Sequence, residues 1–469
     1  MTNPRETESV YKGLFFLPDH TNDRIPGTLT IYPSGLGNLE VLGTFPGQGL
    51  LNKREIVTIF GILFNGDKVS LIDCYKGKAV YAAGGTFVNY STGTIIQGTH
   101  ILSRAVDFFY TISVEIDQLQ EWVGIDGGET SFSSDLKTMN YKYEQPAAIE
   151  FDIDETLKGS IYFKNEFWDG LDFKCTSEQK TRFEIESSED VSADYLIKKA
   201  YSFRKLISLF IGQKVRVLKC VLQSRHERVK YIGDGDELND DRPLKTIFTY
   251  FSDHQRYSEL PDRPVFFVRY SDVAIIFENI VKNWYKILEN ELAPVTNILL
   301  EAIADHRVFE ESDFIKTWQG VEAFHRLILQ DTNQLKRVHK EKISRIKELI
   351  ADEILKKWAL SALHFAYEPA AKERLRSIII DHSHLLGASP SDEAIQIWVK
   401  EMGDTRNYLT HFDPTSKSKK IVGKKLYQYT CLLKLLLIIL IMKQLGIEDD
   451  LLKNLHQHQN LHINGLLKI

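Results

Sequence analysis

Cysteine is scarce in this chain: four residues, Cys74, Cys175, Cys220 and Cys431, in 469. They are scattered and form no C-x-x-C pair, so neither a zinc ribbon nor a disulfide framework is expected, and the thiols read as reduced. Long hydrophobic runs are also missing. The most apolar stretch, Leu435 to Met442, is closed by Lys434 and Lys443. That is well short of the roughly 20 residues that span a bilayer, so it reads as a buried core helix. The opening MTNPRETESV carries both signs of charge and lacks the basic and apolar regions of a signal peptide. A cytoplasmic protein with no membrane partner is the expectation.

Motifs of several enzyme classes are absent. There is no H-E-x-x-H, no Walker loop and no G-x-G-x-x-G, and no cofactor is expected. His456, His458 and His462 lie near one another without acids or cysteines, and read as solvent-facing tail residues rather than metal ligands. The stretch Asp234 to Asp241 puts Leu238 where a calcium loop needs its third ligand, so it reads as a solvated loop. A net charge of -6 argues against a surface that coats nucleic acid everywhere, and leaves room for a local basic site.

What is present has two rhythms. From about residue 14 to 190, segments such as GTLTIY, EIVTIFGILF, KVSLIDCY and DFFYTISVEI are short, rich in β-branched and aromatic residues, and separated by Gly, Asp, Asn and Pro. Phe109, Thr111, Ser113 and Glu115 alternate against Tyr110, Ile112, Val114 and Ile116, as in a half-buried strand. Many short strands without helices between them favour an antiparallel sandwich or barrel, with Trp122 and Trp168 in its core. One helix interrupts: Leu196, Ala200, Phe203, Ile207 and Phe210 recur at helical spacing, and Gly212 stands where a C-terminal cap belongs. From about Ser271 the pattern is helical, with amphipathic segments at 272–290, 312–330, 334–357, 370–386, 390–412 and 421–445. The expected fold is α+β: a β-rich region over 1–270, as one piece or as two subdomains of about 1–145 and 146–270, and an all-α bundle over 271–469.

The segment 389–425 carries the most chemistry. Ser389-Pro390-Ser391-Asp392 is a helix start, with Ser389 as the cap and Pro390 at the first helical position. Pro414 disfavours helical geometry at Asp413, so the helix ends near Phe412. Its last turns place Arg406, Asn407 and His411 at the C-terminal end, where carbonyl dipoles favour a protonated imidazole. Arginine presents a planar set of donors to phosphate, and histidine titrates near neutrality. Attack of a ribose 2′-hydroxyl on its neighbouring phosphate needs a base, an acid and a group that holds the extra charge. One chain supplies one motif histidine; two chains packed on this helix would supply two. Lys417, Lys419, Lys420, Lys424 and Lys425 follow directly and read as a clamp for an RNA backbone, or else as a solvated loop. A second basic run, Lys336 to Lys347, is interrupted by Glu341 and reads as a solvated helix face.

RNYLTH resembles the R-x4-6-H motif of HEPN-domain ribonucleases, including the polar residue after the arginine. Such pairs also arise by chance in a chain with 14 histidines. Arg376 to His382 is a second match, but its apolar interior marks it as a decoy. The motif lies on a late helix followed by one more hydrophobic helix, and FIKTWQGVEAF, with Glu322, is similar to the acidic early helix of such bundles. GTLTIYPSGLGNLEVLGTF, REIVTIFGILFNGDKVSLIDCY and IIQGTHILSRAVDFFYTISVEIDQLQEWVG are similar to the N-terminal domain of the ApeA family of bacterial anti-phage proteins. The resemblance implies a metal-independent endoribonuclease acting in abortive infection, a homodimer joined through the helical half, an RNA substrate, and a β-rich region that senses a phage-derived trigger. The alternatives are a non-catalytic ligand-binding β domain with a helical dimerisation bundle, or a protein of nucleotide transfer. Without the resemblance, Arg406 and His411 read as carbonyl caps or as partners of Asp404 and Asp413.

Overall fold

The computed structural model describes residues 8–32, 35–47, 56–169, 175–226, 247–251, 266–304, 310–329, 332–364, 366–387, 390–412, 414–458 and 461. The chain divides into two compact units, one formed by 1–207 with 215–261, the other by 208–214 with 262–469.

The first unit opens on six strands: β1 (Ser9–Phe16), β2 (Ile25–Ile31), β3 (Gly37–Leu42), β4 (Ile56–Leu63), β5 (Lys68–Ala82) and β6 (Gly85–Thr92). All pair antiparallel in the order β5-β4-β1-β2-β3-β6, and β6 pairs back onto β5, which closes a barrel. Closure relies on the length of β5. Its first half meets β7 (Thr94–Gln97) through Val69 to Ile72, and its second half meets β6 from Tyr75 to Ala82, across a bulge between Lys76 and Ala79. Bulges of this kind bend a strand and increase its twist, which helps a sheet curl closed. Leu29, Leu39, Val41, Ile59 and Leu71 fill the interior with Phe15. The Phe15 ring crosses Gly61 so closely that a Cβ there would lie 2.6 Å from it, which is why this core strand carries no side chain at that point.

The sheet continues through β8 (Asp107–Ile116), a short α1 (Leu119–Val123), a separate hairpin of β9 (Gly128–Phe132) and β10 (Met139–Tyr143), then β11 (Ile149–Asp152), β12 (Leu157–Asp169) and β13 (Cys175–Ser192). Helix α2 (Ala193–Ile211) follows, then β14 (Val217–Gln223) and β15 (Ile247–Phe251). Strand order runs β11-β12-β13-β8-β14-β15-β7, so hydrogen bonds join these strands to the barrel in one sheet. Strand β8 is not half-buried. It lies between β13 and β14 with both faces covered, so Thr111 and Ser113 are buried as well as Ile112 and Val114. Ser113 Oγ is satisfied by the Tyr162 hydroxyl at 2.7 Å. The α2 stripe behaves as its spacing predicts: Leu196, Ala200, Phe203, Ile207 and Phe210 are all fully buried, and Phe203 stacks on Phe183 of β13. Gly212 takes a left-handed φ of +78° just past the helix. Trp122 is buried, and the side chain of Trp168 lies outside the described residues, as does the Asp234 to Asp241 stretch. Cys74, Cys220 and Cys431 are buried free thiols, and burial pushes the Cys74 thiol up to about 12.

The second unit is helical: α3 (Tyr270–Val273), α4 (Phe277–Glu289), α5 (Ala293–Ala304), α6 (Glu310–Phe324), α7 (Thr332–Leu349), α8 (Glu353–Ala362), α9 (Ala371–Asp381), α10 (Asp392–His411), α11 (Gly423–Gln444) and α12 (Asp449–Leu452). Helix α11 is long and apolar enough to cross a membrane by length and composition, and most of it is buried inside the unit, chiefly against α6 and α5. The segment 334–357, expected as one helix, is two. Asp352 restarts the chain by accepting from the amides of Ile354 and Leu355, a cap that an unbroken helix has no use for. His458 is not solvent-facing. It is buried edge-on against the Phe267 ring, while His456 is half-buried and His462 lies outside the described residues.

Candidate active site

Helix α10 is held on three sides. Its N-terminus is capped by Ser391, whose Oγ accepts from the amide of Ala394; Ser389 lies outside the described residues, so the cap sits two residues later than expected. Toward α11, Glu401 takes Lys425 at 2.6 Å and the Tyr429 hydroxyl. Burial, with the Glu401 contact added to it, pushes the Tyr429 phenol far up, so it stays a donor. Toward α9, Asp404 takes Lys372 at 2.6 Å, and the Lys372 stem runs over Gly403. Thr405, fully buried, donates to the Glu401 carbonyl and accepts from the Ile421 amide, which pins the returning loop.

These inward contacts leave the end of α10 free for chemistry. Phe412 adopts a left-handed φ of +51° and its amide closes on the Tyr408 carbonyl, so the helix stops at His411. Neither Arg406 nor His411 is buried. At about 100° per residue, Arg406 and His411 stand about 140° apart around the helix, whereas Asn407 and His411, four apart, share a face. Asn407 stands between them: its Oδ1 accepts from Arg406 Nη1 at 3.3 Å, which ties the guanidinium to a residue on the histidine's face.

Arg406 does not pair with Asp404. Its Nη2 lies 3.6 Å from Oε2 of Glu322 on α6, an ion pair rather than a hydrogen bond. Glu322 also accepts from Trp318 Nε1 at 3.3 Å and from Arg326 at 3.4 Å, and lies 3.9 Å from Arg374 on α9. Arg374 is 2% exposed and donates to Glu368 at 2.6 Å and to the Pro369 carbonyl at 3.0 Å, while its Nη1 makes no hydrogen bond. Glu368 meets Arg326 at 3.5 Å. Three guanidinium groups thus share two carboxylates, which leaves an excess positive charge in the cluster that includes Arg406. Just past α6 the chain makes a π-helical turn, His325–Leu329, which carries Arg326. Such turns recur at functional sites.

The sequence singled out Glu322, Arg406, Asn407 and His411, and the structure gathers the first three. It did not single out Arg326, Glu368 or Arg374. The helical phase held a signal for the last: Arg374, Ile378 and His382 fall four apart on one face, and that face is the buried one. Arg376, the decoy arginine, points outward. The lysines are not equivalent. Lys420 pairs with Glu311 and lies over the Tyr408 ring, and Lys425 is held by Glu401, so neither is a free clamp. Lys417, Lys419 and Lys424 are exposed. Among the described residues no three His, Cys, Asp or Glu side chains gather as metal ligands.

A closed β-barrel unit followed by a helical bundle, with an Arg-Asn-x3-His motif at the end of a late helix and an acid behind it, defines a β-domain protein with a HEPN-type bundle. The ApeA N-terminal domain 1 matches residues 10–284, and the Apea-like HEPN domain matches residues 315–451. The chain belongs to the ApeA family. No curated protein and no solved structure matches it. At the level of the family it is a defence-related HEPN nuclease, and HEPN domains typically dimerise and bind RNA.

Proposed function

We propose that the protein is an endoribonuclease in which Arg406, Asn407 and His411 cut RNA by activating a ribose 2′-hydroxyl, without a metal ion, during abortive infection in the bacterial cytoplasm. The observation that carries this reading is the Arg406–Asn407 contact at the exposed end of α10, backed by Glu322. His411 takes or gives the proton, Arg406 holds the charge that develops on the phosphorane, and Asn407 orients arginine and phosphate. A 2′-hydroxyl nucleophile leaves a 2′,3′-cyclic phosphate and a 5′-hydroxyl. One histidine per chain is one group short of an acid and a base, so the active species is a homodimer whose motif helices meet. An unregulated ribonuclease would harm its host; the β-rich unit therefore acts as sensor or restraint, answering a phage-derived trigger.

The test compares purified wild type with Arg406→Ala and His411→Ala. Both variants are expected to keep their fold and dimer mass and to lose RNA cleavage. Wild-type cutting is expected to survive EDTA and to give cyclic-phosphate ends. A variant that cuts at the wild-type rate, or 5′-phosphate products, would overturn the assignment.

A further inference from the structure

Helix α7 is chemically unlike the rest of the bundle. Its 18 residues hold Lys336, Arg337, Lys340, Lys342, Arg345 and Lys347 against only Glu341 and Glu348, in a chain whose net charge is -6. None of its described side chains is buried. Leu335, His339, Ile343 and Ile346, spaced four, four and three, form a half-buried stripe that rests on the protein. At about 100° per residue, Lys336, Lys340 and Lys347 fall within about 40° of one another along one edge of that stripe, while both glutamates fall on the side away from it. The lysine row has no ion-pair partner among the described residues; its one recorded contact is Lys336 over the Tyr367 ring at 5.7 Å. Like charges at i and i+4 oppose each other on a helix, so the row weakens the free helix until an anion covers it.

The row starts beside the candidate site. Lys336 and His339 both lie against Tyr367. The next residue, Glu368, holds Arg326 and Arg374; those two face Glu322, and Glu322 faces Arg406. From Lys336 to Lys347 the row extends about 16 Å, at 1.5 Å per residue. We propose that α7 is a rail for the RNA phosphate backbone, carrying the strand to or from the motif through Lys336, Lys340 and Lys347. The proposal rests on the ribonuclease reading above and adds to it where the substrate lies. Flexible ammonium groups in a row contact phosphates and read no bases, so the rail is indifferent to sequence. A membrane-surface helix would need an exposed apolar face beside its cations, and here the apolar stripe is itself half-buried.

The experiment is Lys336→Gln/Lys340→Gln/Lys347→Gln in the full chain, with Lys340→Gln alone as the milder variant. Glutamine keeps helix propensity and removes the like-charge opposition, so circular dichroism is expected to match the parent and melting temperature to match it or rise slightly. Affinity for a single-stranded RNA oligonucleotide is measured against salt on a His411→Ala background. For the triple variant the expected result is a Kd raised roughly tenfold to a hundredfold near 0.1 M salt, with the slope of log K flattened by up to about 2; the single variant loses about 0.7. On the active background KM rises and the cut position stays. Superimposable salt curves from a protein that does cut RNA would overturn the rail alone. Loss of adsorption to anionic vesicles with RNA affinity intact would reassign the helix to a membrane and also overturn it. A wild type that cuts no RNA would overturn the ribonuclease reading and the rail with it.

Discussion

Arg406 and Glu322 stand 3.6 Å apart across two helices that are distant in the chain, and the carboxylate that faces Arg406 also faces Arg326 and Arg374. Glu322 shares its charge among three guanidinium groups, with Glu368 helping only Arg326 and Arg374, so Arg406 is not fully neutralised. Arg406 is therefore positioned by charge while most of its donors stay available for a phosphate.

Glu322 is accordingly a positioning residue. Glu322→Gln keeps the shape and removes the charge. Cleavage is expected to fall by an order of magnitude or more through kcat, with KM little changed, and stability to fall by about 1–3 kcal/mol. Steady-state kinetics with a urea melt check this; unchanged kcat would remove Glu322 from the site.

Glu368 and Arg374 are expected to matter for folding first. Glu368→Ala leaves the guanidinium of Arg374, 2% exposed, without its 2.6 Å partner, and a stranded buried charge costs about 3–5 kcal/mol. Arg376→Ala, at an exposed position on the same helix, is expected to stay within about 0.5 kcal/mol of wild type. Chemical denaturation of the two variants side by side distinguishes them; equal losses would refute the assignment of roles.

The loop lysines separate into two groups by the same logic. Lys417→Ala/Lys419→Ala removes two exposed ammonium groups and is expected to flatten the salt slope for single-stranded RNA by up to about 1.4 without moving Tm. Lys425→Ala leaves Glu401 with the Tyr429 hydroxyl but no cation, and is expected to lower Tm instead. If both variants leave the salt curve unchanged, the strand does not pass this loop.

Two buried histidines make the second unit sensitive to acid. Burial holds His325 below the ordinary imidazole range, with the Arg374 guanidinium adding to it, and burial likewise lowers His382. Both resist protonation in the folded chain, whereas the unfolded chain takes up their protons below about 6.5. The unfolded state then binds more protons, so stability falls as pH drops from about 6.5 toward the lowered folded values. The expected observation is a Tm that declines from pH 7.5 to 5.5, and declines less in His325→Gln/His382→Gln. An unchanged decline would place the acid sensitivity elsewhere.

How much of this was legible in the sequence depends on the range of the interaction involved. Periodicity is local, so the strand rhythm up to residue 190, the α2 stripe and the long helix ending at His411 could all be read from residue spacing. The motif at that helix end was legible for the same reason, and so was the family, whose matched segments are contiguous. What spacing could not carry was partner choice. Strand β8 reads as amphipathic, but neighbours on both sides bury Thr111 and Ser113 too. Lys420 and Lys425 look like their neighbours in the loop until Glu311 and Glu401, brought in from other helices, take them. Helical phase puts the two arginines of α9 on different faces, Arg374 with Ile378 and His382, and only the packing of the bundle supplied Glu368 and Glu322 opposite Arg374. Local periodicity fixes which face a residue lies on; what stands opposite that face is a property of segments far apart in the chain, and only tertiary packing supplies it.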